Sequence, residues 1–212
     1  MLKKEPVRQY VRERLSLGRF LHSLRTAETA VELLLHFGSV GDDSRRVNNY
    51  LIDRETLNRV EIAGLAHDMA RELSPGLIRT IAGYDDIPVL SEEEINPILL
   101  HGRAAAVLMK QEWGVKDEVL LQAVRWHTTG EVGMGKLGML LLLADYLEPG
   151  RQHIDENFRS RVLGRGELTD MMMVVLEDQC EYNTKKGRKI SERTESLITA
   201  LREDRCAVVQ TG

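Results

Sequence analysis

Histidines and carboxylates are the residues in this chain whose types and order could do chemistry. Four of its six histidines, His22, His67, His101 and His127, follow one another along the chain, with Asp68 directly after His67 and Asp145 closing the series. Neutral imidazoles and carboxylates without a thiolate make a nitrogen/oxygen ligand set suited to iron, manganese or zinc. The positions are far apart in sequence, so they come from different helices, and a helical bundle can converge such side chains on its interior. Neighbours on a helix lie about 100° apart. His67 and Asp68 can therefore address one metal together while the second oxygen of Asp68 reaches another.

The local contexts point the same way. His22 stands in Phe20-Leu-His-Ser-Leu-Arg25, beside the apolar stripe of its segment. His67 and Asp68 follow Ile62-Ala-Gly-Leu-Ala66, small residues that let helices or a metal centre approach closely. Asp145 follows the apolar run Met139 to Ala144, where an unpaired carboxylate would be costly and a metal ligand would not. Each residue alone has a plainer reading. A lone histidine on an apolar face is more often a hydrogen-bonded core residue, Asp145 could pair with an arginine, and a His-Asp dipeptide arises by chance. The ordered set of six, spread over helical segments, is what points to metal.

The elements that must position these residues read as helices throughout, so the fold class expected is all-α, a helical bundle with its metal site inside. Leu21, Leu24, Ala27, Val31 and Leu34 step by three and four with Gly38 as a stop. A second segment runs from Asp53, its N-cap, to Leu73. Ser91-Glu-Glu-Glu94 is a capping-box pattern opening a short segment interrupted by Pro97. Further helices are expected at 101–113, 117–127, 135–148, 167–183 and 191–204, with irregular stretches at 41–49, 83–91 and 149–166. At 212 residues, against about 150 for a typical domain, one large domain over 1–212 is expected, with a core at about 15–195 and a flexible tail at 205–212. The composition, 42% hydrophobic and 29% charged, excludes collagen-like, disordered and disulfide-built chains. No apolar run approaches the ~20 residues of a membrane helix, and the N-terminus lacks the apolar core of a signal peptide. Two cysteines, Cys180 and Cys206, suit a reducing cytoplasm. A formal charge of −4 gives no footprint for nucleic acid. An apolar helix face could serve a core or a homodimer equally.

The residues also resemble a family. His22-Ser-Leu-Arg25, Ala63-Gly-Leu-Ala-His-Asp68, Asn96-Pro-Ile-Leu-Leu-His-Gly102, Arg125-Trp-His-Thr-Thr-Gly130 and Leu143-Ala-Asp-Tyr-Leu-Glu-Pro-Gly-Arg151 are similar to segments of the HD-domain metal-dependent phosphohydrolases, and within them of the bacterial YqeK family. The likeness runs over about residues 15 to 195. It implies an all-helical domain that hydrolyses diadenosine tetraphosphate symmetrically to two ADP. The metals would be held by His22, His67, Asp68, His101, His127 and Asp145, with Asp68 bridging, and the family's centre is di-iron. Three departures stand out. Arg71 replaces the family's lysine, keeping charge but changing a point charge to a planar fork. The loop over 39–53 is longer than usual. Arg103 stands where proline is more common.

Hydrolysing a phosphoanhydride at neutral pH needs a nucleophile and charge neutralisation, which a hydroxide bridging two metals supplies together with the metals themselves. Asp68 and Arg71 are the expected catalytic residues. For substrate binding the candidates are Arg25, three residues after His22, Arg71, three after Asp68, and Arg151, after Pro149-Gly150. Thr128 and Thr129 join them, at a helix end beside His127. The plainer readings are solvated arginines and an ordinary helix terminus with Gly130 at its end. Trp126 and Tyr146 flank ligands and read as core packing rather than base stacking. His36 suits a helix C-terminus, His153 is left over, and Met171 to Met173 read as core filling. The alternatives to a dinucleotide substrate are a mononucleotide or cyclic nucleotide, or a regulatory nucleotide-binding module without turnover.

Overall fold

Side-chain caps set the helix starts. The structure, a computed structural model, describes residues 2–39, 46–47 and 50–210. Its helices are α1 (Lys4–Arg14), α2 (Leu17–Ser39), α3 (Arg54–Ala66), α4 (Pro75–Ala82), α5 (Ser91–Ile95), α6 (His101–Trp113), α7 (Glu118–Trp126), α8 (Gly135–Leu147), α9 (Glu156–Leu163), α10 (Leu168–Lys185) and α11 (Glu192–Gln210). Short 3₁₀ turns occupy Gly83–Asp85 and Pro97–Leu100. Asp53 accepts from the Thr56 N–H at 2.7 Å, Asp117 from Leu120 N–H at 3.2 Å and Asp155 from Phe158 N–H at 2.7 Å, each satisfying a first-turn donor of α3, α7 or α9. The only sheet pairing among the described residues is antiparallel, Arg46 opposite Leu51 and Val47 opposite Tyr50. Met1, residues 40–45 and 48–49, Thr211, Gly212 and the side chain of Cys206 lie outside the described residues. No helix among those described is long and apolar enough to cross a membrane.

Several boundaries differ from the sequence reading. The segment expected to run as helix to Leu73 stops at Ala66. Beyond it the chain turns through bonds that reach three residues back, Met69 N–H to Ala66 O, Arg71 N–H to Asp68 O and Leu73 N–H to Ala70 O. Ser91 is the first helical residue of α5 rather than its cap, and Glu93 alone closes the turn, accepting from Leu90 N–H at 2.8 Å. Helices α1, α4 and α9 were not anticipated. Each buries too little to leave a stripe in the sequence: Val7 and Val11 in α1, Ile78 and Ala82 in α4, Val162 in α9. Arg103 does not disturb the start of α6. It is 1% exposed, forks onto Asp85 at 2.7 and 3.0 Å, and binds Glu93 at 3.3 Å. It thus ties the irregular stretch before α5 to α6, with the carbonyls of Ile87 and Pro88 accepting its remaining N–H groups.

The centre of the bundle is α8, buried at nearly every position from Leu137 to Leu147, as an all-round apolar helix must be. Helices α2, α7 and α10 pack on it, α2 also meets α3, and α6 lies against α7 and α4. Two glycines let the ligand-bearing pairs close up. A Cβ at Gly64 would stand 2.4 Å from Ala27 Cα, where α3 crosses α2. One at Gly102 would stand 2.7 Å from the Arg125 carbonyl oxygen, where α6 crosses α7. The first contact brings His67 toward His22, the second His101 toward His127. Because backbone atoms block both positions, Gly64→Ala and Gly102→Ala should each destabilise the fold by about 1–3 kcal/mol. In contrast, Gly18→Ala in α2, with nothing within 4 Å, should be neutral or slightly stabilising. Urea midpoints of the three variants check this.

Candidate metal centre

The six ligand candidates converge, and most of them stand at helix ends. His22 is in α2 and Asp145 in α8, whereas His67 and His127 are the residues just after α3 and α7, and His101 opens α6. That placement gives the imidazoles a common support. The Nδ1–H of His67 donates to Gly64 O at 2.7 Å, that of His101 to Ile98 O at 2.6 Å, and that of His127 to Val124 O at 2.8 Å. Each partner is a main-chain carbonyl three residues back, at the end of a helical turn. A carbonyl only accepts, so these bonds fix the proton on Nδ1 and leave Nε2 as a lone pair aimed inward.

Asp68 lies between two pairs of imidazole Nε2 atoms. Its Oδ2 is 3.4 Å from both His22 Nε2 and His67 Nε2, and its Oδ1 is 2.9 Å from His101 Nε2 and 3.8 Å from His127 Nε2. Asp145 Oδ1 joins the first pair, 3.0 Å from His22 Nε2 and 3.8 Å from His67 Nε2. Within each pair the imidazole nitrogens face each other, at 3.2 Å for His22 and His67 and 3.0 Å for His101 and His127. The groupings His22–His67–Asp68 and Asp68–His101–His127 each offer three ligand atoms within 4.8 Å of one another.

This donor set fits cations. Burial pushes the Asp68 carboxyl up, but the surrounding imidazoles of His67, His101, His127 and His22 outweigh it and hold the group well below the ordinary range. Burial likewise opposes charge on His22, yet Asp145, Asp68 and Glu148 push its pKa up to about 10. The carboxylates therefore demand a positive charge at His22 Nε2, whether proton or metal. At the other half, burial holds His101 below its ordinary value against the pull of Asp68, so it is neutral at pH 7. Its Nε2 lone pair then faces two further acceptors, Asp68 Oδ1 and His127 Nε2. The Thr128 hydroxyl, 3.2 and 3.3 Å from the two Nε2 atoms, has one proton and can serve only one of them. A cation between them satisfies the set.

Arginines ring the exposed side of the centre. The Arg151 guanidinium binds Asp145 Oδ1, and its Nε–H donates to the Asp145 carbonyl at 2.9 Å. Arg25 donates through Nε to Glu148 Oε2 at 2.5 Å, so it braces a carboxylate rather than pointing free into the site. Arg71 is not on a helix as its spacing suggested. It lies in the turn after α3, where residues three apart eclipse, so it stands below Asp68. It is half-buried, and its guanidinium makes no hydrogen bond or ion pair with a described residue. Burial lowers its pKa against the pull of Asp68, with Arg19 and Arg151 adding to the lowering. Thr129 turns away: its hydroxyl donates to Gly130 O at 3.1 Å, and its carbonyl accepts from Thr194 at 2.7 Å.

Two residues of the centre escaped the sequence reading. Arg19 donates to Asp68 Oδ2 at 2.6 Å; its place three residues before His22, on the same face, was the available signal. Glu148, 2% exposed, accepts from His22 Nδ1 at 3.1 Å, from Arg25 and from Gly150 N–H at 2.6 Å. Burial raises its pKa, but His22, Arg25 and the Gly150 N–H together bring it down to about 2, so the carboxylate is ionised. It is the one side-chain support among the four imidazoles. Its signal was its place three residues after Asp145, overlooked because Pro149-Gly150 marks a helix end.

Comparison with known proteins agrees with this geometry. The HD-domain family model matches residues 19–150. The symmetrical bis(5'-nucleosyl)-tetraphosphatase of Staphylococcus aureus is 35% identical over 69% of this chain and 67% of its own length. The enzyme of the same name from Bacillus subtilis is 28% identical over 89% of this chain and 92% of its own. A crystal structure from Clostridium acetobutylicum, described as a predicted HD superfamily hydrolase involved in NAD metabolism, superposes with a TM-score of 0.79 at 27% identity, covering 96% of this chain and 99% of that one. The chain belongs to the HD-domain family, whose members are metal-dependent.

Because Glu148 fixes the His22 tautomer and orientation, Glu148→Gln should weaken metal binding about 10–100-fold without unfolding the chain. Chelator competition on the metal-loaded protein measures this, and an unchanged affinity would reduce Glu148 to an anchor for Arg25.

Proposed function

We propose that this HD-domain protein cleaves the phosphate bridge of dinucleoside tetraphosphates symmetrically, turning diadenosine tetraphosphate into two ADP at a two-metal centre. The observation that carries the reading is Asp68, a buried carboxylate whose two oxygens face two different imidazole pairs. The names of the S. aureus and B. subtilis relatives supply the substrate class. The ligands proposed are His22, His67, Asp68 and Asp145 on one side and Asp68, His101 and His127 on the other. Iron is the metal proposed for this thiolate-free set, although the same ligands also suit manganese and zinc. A reducing cytoplasm is the proposed location.

When bound, two such metals lower the pKa of water to give a nucleophile at neutral pH and neutralise phosphoryl oxygens. The chain's own residues do the rest. Asp68 holds both halves of the centre in register. Arg71, half-buried and unpartnered, takes a phosphoryl oxygen beside Asp68. Arg151 and Arg19, at the rim, meet the charge of the remaining phosphates. Thr128 donates its hydroxyl toward the reacting group. A nucleoside diphosphate leaves as a weak base, so catalysis is mainly positioning and electrostatics, with no dedicated general acid.

Anaerobically purified protein incubated with diadenosine tetraphosphate should yield ADP alone by anion-exchange chromatography, and AMP plus ATP would overturn the assignment. Asp68→Asn should lose both turnover and metal. Arg71→Ala should lower kcat/KM about 10²–10³-fold with metal content unchanged. Arg71→Lys should recover part of that loss, since it restores charge but not the fork.

A further inference from the structure

Among the ligands, Asp145 at the end of α8 is the most exposed. His67, Asp68, His101 and His127 have side chains no more than 5% exposed, whereas Asp145 is 21% and Arg151 31% exposed. A substrate whose reacting phosphate sits at the ligands can extend past the end of α8, over Asp145 and Arg151. Two residues beyond Arg151 stands His153, exposed to solvent. Its ring stacks on Tyr182 of α10, centroids 5.0 Å apart and planes 27° apart. Tyr146, the residue after Asp145, meets His153 edge-on at 5.6 Å and 82°. The Tyr146 hydroxyl donates to Asp178 at 2.7 Å, which anchors this contact to α10. Lys186 lies 5.8 Å from the Tyr182 ring.

An exposed planar stack next to a phosphate-facing arginine is chemistry suited to a base. Packing alone explains Tyr146, which is buried. It does not explain His153, which lies outside the core and is exposed to solvent. Aromatic side chains so placed hold a nucleobase without reading its edges. The covalent frame also fits: Asp145 and Tyr146 are consecutive, and Arg151 and His153 are separated by one residue, so platform and ligands share one rigid corner of the fold.

We propose that the stacked pair His153 and Tyr182 is a nucleobase platform, taking one purine of the substrate by stacking on His153 while Arg151 holds the adjacent phosphate. The inference rests on the nucleotide reading given above and adds a specificity subsite to it. Such a platform selects nucleotides over inorganic polyphosphate and tolerates different bases, because every base offers a π-face.

The test compares a ligand with a base to one without. Binding of ADP and of inorganic tripolyphosphate to the metal-loaded protein is measured by calorimetry for the wild type, His153→Ala and His153→Phe. The platform predicts that His153→Ala weakens ADP about tenfold, leaves tripolyphosphate unchanged, and is rescued by His153→Phe. Equal weakening of both ligands, or of neither, overturns it. The product assay on the wild type separates the two levels. ADP formation with ADP affinity indifferent to His153 overturns the platform alone, while no ADP formation overturns the nucleotide reading and the platform with it.

Discussion

A buried carboxylate held between two pairs of imidazoles is the constraint on which the rest of the structure depends. Asp68 carries its charge inside the bundle, facing the Nε2 atoms of four imidazoles, three of which are held at Nδ1 by main-chain carbonyls. Removing an ion from water costs several kcal/mol even after relaxation, so the site is stable only if something positive completes it. Arg19 supplies part of that charge from the rim. The ligand geometry supplies the place for the remainder.

The bundle is shaped to bring that place together. Two helix crossings, α2 with α3 and α6 with α7, each carry a glycine at the closest approach, and each delivers two histidines to one face of Asp68. The buried α8 carries Asp145 through the middle and stops at Glu148, which turns back to brace His22. Beyond that corner the surface changes character, from buried imidazole to arginine. The chain as a whole carries a formal charge of −4, so attraction of a polyanion rests on this local field. Clefts that focus one sign of charge raise association rates, and salt screens them over about 8–10 Å.

Much of this was legible in the sequence because it depends on residue type and order. The convergence of the His/Asp cluster needed only four histidines, two aspartates and a helical rhythm around them. The all-helical class followed from the spacing of Leu21 to Leu34 and from the apolar run before Asp145. What stayed hidden depended on contacts between distant segments. Arg103 looked like a disturbance at the start of α6, and only the arrival of Asp85 and Glu93 turns it into a clamp. Helical spacing turns Arg25 toward the centre but does not reveal Glu148, the carboxylate it is bonded to there. His67 was placed inside a helix, although the helix ends one residue before it. Periodicity does not register such an ending when the following turn keeps residues three apart aligned.

The supports of the four imidazoles differ in kind. Three rest on main-chain carbonyls, of Gly64, Ile98 and Val124, which every amino acid possesses. No point substitution can delete those acceptors; only a change in backbone path can. The fourth rests on a side chain, and any change at position 148 alters it at once. The centre is thus mutationally robust around three of its imidazoles and open to variation around His22, so heritable tuning of its metal preference has one accessible point of entry.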